Sequence, residues 1–433
     1  MFLTKHFIKV SFLLLFLQGL LVGATIQHIK YNDIQIPVIF EQQNSLPTYN
    51  LQLVFQNSGF IQDKTKSGLA VLSAKLLNEG TKESGSIKFA HKLESNAISL
   101  HTTSGFETFV VELSSLMDVK NKALDLMKDL LVSPNYSDKT IKKLKTLQTG
   151  SLQRKENDFD YIAKVGLKKL LFKKTPLENP SSGTIDSINE IELKDIKKFI
   201  NNNLTLENLI IVAGGDTNFK ELEKDLAKIL PIFKKGKKNE LKSFETSNKS
   251  KVETLSKKTE QAYIYFGSPF IINPSDKEVY IAKVASFILG GSGFGSRLME
   301  EIRVKRGLAY SAYGYISINK TYSNFNGYLQ TKLESTDEAK ELVSKIVSDF
   351  VKDGVTQKEL DSAKNFLSGS EPLRTETLSQ RLNRAFMLYY KGLEQDYPSK
   401  ELSLIENLTL SDLNEYIKAH NEINQLSFSI VRN

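Results

Sequence analysis

The feature that most constrains the fold of this chain is an internal repeat that relates its two halves. Residues 187–215 align with residues 404–432 without a gap, at a constant offset of 217. A second similarity, at an offset of 219, relates SDKTIKKLKTLQTGS from Ser137 to TQKELDSAKNFLSGS from Thr356. A period this long predicts two homologous domains in tandem rather than a solenoid. The matched pairs of the first alignment are Ile188 with Ile405, Leu193 with Leu410, Asp195 with Asp412, Phe199 with Tyr416, Ile200 with Ile417 and Leu209 with Leu426.

Each copy of the repeat reads as a helix followed by an apolar run that is typical of a buried strand. Upstream, NLQLVF (50–55) alternates apolar and polar residues, and residues 98–113 resemble a hairpin around Ser104 and Gly105. The stretch from Asn121 places its leucines at helical intervals and stops at a proline. Strands and helices mixed in this way predict an α+β fold.

The length and the charge pattern predict a division into domains. A chain of 433 residues suits two or more domains. Residues 233–260 contain nine lysines, four glutamates and no interleaved aromatic motif for nucleic acid, so we predict a solvated linker there and no nucleic-acid partner. The predicted domains are therefore residues 25–232 and residues 261–433.

The first 24 residues have the pattern of a secretory signal peptide. Lys5 and Lys9 precede an uncharged apolar run that ends in Val-Gly-Ala, which predicts cleavage after Ala24. An uncleaved anchor is the alternative, but the apolar run is short for a membrane span. Cleavage predicts a periplasmic protein with no membrane span.

The chain contains no cysteine, which excludes disulfides, thiolate zinc sites and thiol nucleophiles. After the predicted cleavage four histidines remain, and no two of them have the i, i+3 or i, i+4 spacing of a helical metal site. We therefore expect ordinary core or surface histidines. They are His28, His91, His101 and His420.

The stretch GLAVLSAKLLNEGT (68–81) resembles the metal-binding helix of the M16 metallopeptidases, the pitrilysin, insulinase and mitochondrial processing peptidase group, whose general form is GLAHFLEHMLFKGT. The resemblance covers essentially the whole mature chain, because this family is built of homologous halves in tandem. It implies two α/β roll domains of the LuxS/metallohydrolase-like kind.

The resemblance also implies where the family's zinc site falls in this sequence. The family uses His-x-x-Glu-His, in which the two histidines hold zinc and the glutamate is the general base. Val71, Ala74 and Lys75 stand at these three positions, and the third ligand, a glutamate 76 residues beyond the second histidine in the family, falls on Ser151. We therefore expect no catalytic residue and no metal in this chain.

A glycine cluster precedes a helix in the second half. It could bind phosphate through free amides, but no Gly-Lys-Ser/Thr follows it, which disfavours a nucleotide site. Its members are Gly290, Gly291, Gly293 and Gly295.

The longer stretch SRLMEEIRVKRGLAYSAY, which begins at Ser296, resembles the substrate-binding half of the M16 family. The family's arginine and tyrosine, seven residues apart, fall on Arg303 and Tyr310, and the resemblance implies that both contact peptide. The alternative is an ion pair between Arg303 and Glu300 or Glu301, with Tyr310 in the core.

These expectations combine into a non-catalytic subunit of a periplasmic M16-type peptidase. Its partners would be a homologous subunit with His-x-x-Glu-His, which alone carries zinc, and extended or unfolded peptides. The main alternative is a peptide-binding or scaffold protein with no role in proteolysis. An independent hydrolase is a third possibility that no group of residues supports. The sequence does not decide between a homodimer and a heterodimer.

Overall fold

The computed structural model describes residues 23–433, so most of the predicted signal peptide, residues 1–22, lies outside the described residues. The first half contains the strands β1 Thr25–Tyr31, β2 Ile34–Gln42, β3 Thr48–Gln56, β4 Ser99–Ser104, β5 Thr108–Leu116 and β6 Leu209–Gly215. Its helices are α1 Leu69–Leu77, α2 Gly85–Glu94, α3 Lys120–Val132, α4 Asp138–Lys155, α5 Phe159–Leu171, α6 Ile185–Glu190, α7 Leu193–Asn203 and α8 Phe219–Ile229.

The second half contains the strands β7 Val252–Ser256, β8 Gln261–Pro269, β9 Ala309–Ile318, β10 Ser323–Lys332 and β11 Ser427–Arg432. Its helices are α9 Val279–Ser286, α10 Arg297–Met299, α11 Thr336–Asp353, α12 Gln357–Gly369, α13 Leu378–Lys391, α14 Tyr397–Asn407 and α15 Leu410–Ala419. Two π-helical segments, Phe287–Gly291 and Glu300–Val304, continue α9 and α10. No helix in residues 23–433 is both long enough and apolar enough to span a bilayer.

Each half is built on one sheet, and the two sheets have the same topology. The first sheet has the strand order β1-β2-β6-β3-β5-β4, and the second has β7-β11-β8-β10-β9. In each sheet one pair is parallel, β2 with β6 and β7 with β11, and every other pair is antiparallel. Without β1 the two orders are identical, which confirms the predicted pair of homologous α+β domains.

The aligned segments of the sequence repeat form equivalent elements. Helices α7 and α15 begin at Leu193 and Leu410, which the offset of 217 relates. In the second similarity Ser137 and Thr356 are the N-cap residues of α4 and α12, and each side chain accepts a hydrogen bond from a backbone N–H of the first turn. Serine and threonine start helices in this way because the hydroxyl satisfies an amide with no partner inside the helix.

The two halves exchange a helix. Helix α5 of the first half packs on β8 and β11 of the second sheet, whereas α13 of the second half packs on β2 and β6 of the first sheet. Leu382 and Phe386 of α13 belong to one buried cluster with Ile39, Ile210 and Val212 of the first sheet. One face of each sheet is therefore covered by a helix from the other half, while the main core of each half lies on the opposite face.

The segment 233–260, predicted as the linker, makes hydrogen bonds to both halves. The Asn239 side chain donates to the Asn57 carbonyl at 3.2 Å, and the Phe244 N–H donates to the Thr321 carbonyl at 2.6 Å. Near its end the segment forms β7, a strand that the sequence analysis did not predict. The predicted domain boundaries themselves stay a prediction.

Candidate functional site

Helix α1, which carries the three positions of the family's metal motif, is fixed at its start by a buried carboxylate. Asp63 is 6% exposed, and its oxygens accept hydrogen bonds from the N–H groups of Gly68 and Ala70, both at 2.8 Å. Burial raises the pKa of Asp63 to about 7, although these backbone donors oppose the rise. Four leucines form a buried stripe on this helix: Leu69, Leu72, Leu76 and Leu77.

The motif positions on α1 lie in different environments. Val71 is partly buried, Ala74 is 3% exposed, and Lys75 is exposed. Val71 and Ala74 carry no donor atom, and an ammonium group repels a divalent cation, so the three residues do not fit a zinc ion. Residues 23–433 contain no group of three or more His, Asp or Glu side chains placed to hold a metal. The expectation that zinc belongs to a partner stays a prediction.

The ammonium group of Lys75 is held by α4. Its Nζ donates to Gln148 Oε1 at 2.5 Å, and Gln148 Nε2 donates to the Ser182 carbonyl at 2.8 Å. Gln148 is 4% exposed, so this bridge joins α1 to the interior of the half. Desolvation lowers the pKa of Lys75, and the nearby Lys155 ammonium lowers it further.

The hydrogen-bond partner of Lys75 on α4 is thus Gln148, and the assignment of Ser151 to the family's third ligand position stays a prediction. Ser151 lies one helical turn further along α4, is partly buried, and makes no side-chain hydrogen bond within the described chain. Gln148 was missed because the family spacing was counted along the chain, which does not report how α4 passes α1. The sequence could have indicated Gln148, because residues 148 and 151 are three apart and therefore share one face of a helix.

In the second half, Arg303 and Tyr310 lie together at the surface. The Arg303 guanidinium carbon is 4.5 Å from the centre of the Tyr310 ring and 4.6 Å from the centre of the Phe294 ring. Tyr310 is 82% exposed and Phe294 is 68% exposed. Cation–π attraction to the two rings stabilises the position of the guanidinium without using its N–H donors. We call these three residues the Arg303 cluster.

The alternative interpretation of Arg303 and Tyr310 does not match this geometry. Glu301 accepts from Lys305 and Arg306, each at 2.6 Å, and the Arg303 guanidinium has no ion-pair partner among the described residues. Tyr310 stands in solvent rather than in the core. The forked donors of the guanidinium are therefore available to a carbonyl or carboxylate from outside the chain.

The glycine loop places the third member of this cluster. Gly293 and Gly295 have positive φ angles of 67° and 92°, so the chain reverses on both sides of Phe294 and turns its ring outward. At Gly290, a Cβ atom would lie 2.6 Å from the backbone N and O of Gly314 on β9, so this position requires glycine for close approach. Gly291 is the last residue of the π-helical segment Phe287–Gly291. Phe294 was not predicted from the sequence.

The two groups of predicted residues stay separate. In residues 23–433, no hydrogen bond, ion pair or ring contact joins the Arg303 cluster to Val71, Ala74, Lys75 or Ser151. In the first group the Lys75 ammonium has an internal partner, whereas in the second group the Tyr310 and Phe294 rings are exposed.

Comparison with known proteins places the chain in a family. Residues 38–185 match the family model "Insulinase (Peptidase family M16)", and residues 190–367 match "Peptidase M16 inactive domain". The "Non-peptidase homolog YmxG" of Helicobacter pylori is 43% identical over 426 residues, which cover 98% of each chain.

Two solved structures show the same fold. A peptidase M16 inactive domain from Pseudomonas fluorescens matches with a TM-score of 0.85 and 24% identity, over 94% of this chain and 98% of that one. The periplasmic protease PqqL from Escherichia coli matches with a TM-score of 0.75 and 13% identity, over 94% of this chain and 46% of PqqL.

The two matching domains, the shared sheet topology and the full-length relative lead to one assignment. The chain belongs to the M16 peptidase family, as the sequence resemblance predicted. The Helicobacter pylori relative is named a non-peptidase homologue, and in this chain the residues at the motif positions of α1 do not fit a zinc ion.

Proposed function

We propose that this chain is the non-catalytic subunit of a periplasmic M16-type peptidase. It pairs with a homologous subunit that carries His-x-x-Glu-His and zinc, and it contributes peptide binding through Arg303 and Tyr310. The observation that supports the proposal is the partly buried Arg303, whose guanidinium lies against two exposed rings and has no carboxylate partner in the described chain. Glu301, on the same helical segment, is already ion-paired with Lys305 and Arg306.

The chemistry of the cluster suits an extended peptide. A guanidinium donates two parallel hydrogen bonds to a backbone carbonyl or a terminal carboxylate, and the Tyr310 hydroxyl can donate to the same oxygen. Because contacts with two rings already restrict Arg303, it loses less side-chain entropy on binding than a free arginine would. The exposed Phe294 ring adds apolar contact beside the polar one.

The residues of α1 are the reason why this chain would need a catalytic partner. Val71 and Ala74 supply no ligand and Lys75 is engaged with Gln148, so the hydrolytic step needs donors from another chain. Zinc bound in that partner would polarise the scissile carbonyl and activate water. The periplasmic assignment draws on the predicted signal peptide and on the likeness in fold to a protease described as periplasmic.

The test begins with affinity purification of the mature chain from its own cells, followed by zinc determination and a peptidase assay on unfolded peptides. We expect a second M16-type chain with His-x-x-Glu-His and about one zinc ion per pair. Recovery of the chain alone, free of metal and inactive, would favour the scaffold alternative instead.

The sharper test uses variants of the reconstituted pair. Arg303→Ala should lower kcat/KM by about a hundredfold, and Tyr310→Phe by about tenfold, because each removes donors that a bound peptide oxygen needs. Arg306→Ala is the matched control, since this exposed arginine is ion-paired with Glu301 and should leave activity unchanged. Full activity of both test variants would show that the proposed role is wrong.

A further inference from the structure

The outer edges of the two sheets differ at one equivalent position. In the first sheet, β1 pairs along the edge of β2 and closes it. In the second sheet, β7 is the edge strand, all five of its residues are exposed, and no described strand covers it. The second half therefore lacks the counterpart of β1.

The register of the two sheets shows that β2 and β7 are equivalent strands. Val38 lies opposite Ile211 in the first sheet, and Val252 lies opposite Phe428 in the second. Ile211 and Phe428 are related by the same offset of 217 as the sequence repeat. Since β1 pairs with residues 34–40 of β2, the equivalent stretch in the second half is residues 248–254, of which 252–254 belong to β7 and 248–251 lead into it.

The backbone of β7 has its free hydrogen-bonding groups on this edge. The Phe428 N–H donates to the Lys251 carbonyl at 2.7 Å, and the Lys257 N–H donates to the Arg432 carbonyl at 2.9 Å. In a parallel ladder successive residues alternate in direction, so the odd-numbered residues face β11. The N–H and C=O groups of Val252 and Thr254 consequently point away from the sheet and can pair with another strand.

A cleft runs beside the open edge. It has a volume of about 440 Å³ and is lined by Tyr161, Ile162 and Val165 of α5 and by Leu255 of β7. Helices α5 and α13 pack on the equivalent strands β11 and β6, and α5 also contacts β8 whereas α13 also contacts β2. In the first half, Ile26 of β1 packs against the cluster formed with α13. The cleft is thus the place where an apolar side chain of an added strand would pack.

Lysines outnumber carboxylates around this edge. The strand is flanked by Lys249, Lys251, Lys257 and Lys258, and the cleft is lined by Lys155 and Lys169 together with Glu156 and Glu253. None of these six lysines forms an ion pair within the described chain. An added strand with acidic residues would be attracted to this edge.

A second copy of this chain does not suit the edge. Antiparallel pairing of two β7 strands about Thr254 would place Lys251 opposite Lys257, and like charges directly opposite each other destabilise a sheet. Lysines on an edge strand in this way discourage pairing with identical chains. They leave the edge open to a strand of opposite charge.

We propose that the edge formed by residues 248–254, together with the α5 cleft, binds an extended acidic segment of a partner protein, antiparallel to β7. The segment adds as the missing sixth strand of the second sheet, and one apolar side chain enters the cleft. This inference does not depend on the Arg303 cluster or on proteolysis.

The test uses two synthetic peptides and the full chain without its predicted signal peptide. The parent peptide is the sequence of β1, TIQHIKY, and the acidic probe is TIQEIEY, in which both basic positions are glutamate. We expect the fluorescently labelled acidic probe to bind about tenfold more tightly than the parent at low salt. Changing both Lys249 and Lys251 to Glu should reverse this preference.

Thr254→Pro is the backbone control, since proline removes the outward N–H donor and blocks pairing. Circular dichroism checks that this variant folds, and the double lysine variant keeps the test decisive if it does not. No binding of the acidic probe, or equal binding of both probes, overturns the proposal. The proposal is also overturned if the chain associates with itself in sedimentation experiments, if the double Lys→Glu change alters that association, and if the acidic probe does not compete with it.

Discussion

Helix α1 of the first half and the Arg303 cluster of the second half stand where the family's two kinds of functional residue are expected, and they differ in how their polar groups are satisfied. Lys75 donates to Gln148, which is itself bonded to the Ser182 carbonyl. Arg303 instead contacts two exposed rings, and its donors are unpaired in the described chain. The first arrangement is complete without a ligand, whereas the second is not.

This difference separates structural from binding residues on physical grounds. A polar group that has found an internal partner gains little from an external ligand, because binding must first break that bond. A fixed and unpartnered guanidinium loses little on binding and gains charge-assisted hydrogen bonds. The same reasoning distinguishes the closed edge of β2 from the open edge of β7.

The largest expected effect comes from returning ligands to α1. The triple variant Val71→His, Lys75→His and Gln148→Glu should bind zinc with a Kd of about 1 μM or tighter, at least about a thousandfold tighter than the natural chain. Titration against a chromophoric chelator measures this. The matched control carries Ser151→Glu in place of Gln148→Glu and should bind about a hundredfold more weakly. Equal affinities would mean that Gln148 does not mark the third ligand position.

A smaller effect is expected from the carboxylate that fixes α1. Because the folded pKa of Asp63 is raised from 3.8 to about 7, its contribution to stability is fully present below pH 3.8 and is lost as the pH rises through 7. The loss should approach about 4 kcal/mol at most. Urea unfolding between pH 4 and 8 gives the free energy of unfolding of the natural chain and of Asp63→Asn. The loss appears as a change with pH in the difference between these two free energies. A constant difference across this range would contradict the raised pKa.

The smallest expected effect concerns Phe294. Phe294→Ala removes one of the two ring contacts of Arg303 and should lower kcat/KM of the reconstituted pair about fivefold, the equivalent of roughly 1 kcal/mol. The free energy of unfolding should change by less than about 0.5 kcal/mol, because the ring is exposed. Phe294→Tyr is the control that keeps a ring. A large loss of stability would assign Phe294 to the fold rather than to binding.

The sequence predicted the parts of the fold that depend on local pattern. The offset of 217 identified equivalent helices and strands because caps and apolar periods recur with each copy, as Leu193 and Leu410 show. The hairpin around Ser104 and Gly105 was predicted for the same reason, and β4 and β5 confirm it. Arg303 and Tyr310 came from the family resemblance, and the structure shows them in contact.

The features that were missed depend on contacts between distant segments. Strand β7 has five exposed residues among lysines, so no apolar alternation indicates it, and it forms because β11 offers a parallel edge. Gln148 depends on the crossing of α4 over α1, which chain spacing does not encode. The exchange of α5 and α13 could not be predicted from a local pattern either, because the apolar face of an amphipathic helix does not indicate which sheet the helix packs on.

That exchange sets the order in which the molecule can be completed during synthesis. The face of the first sheet formed by Ile39, Val54 and Val212 stays bare until residues 378–390 of α13 have been made, more than 160 residues after β6 ends at Gly215. An apolar sheet face left bare while a chain emerges is prone to aggregate. The first half therefore cannot cover this face before the second half is synthesised, and a chain that ends at the linker leaves the face exposed.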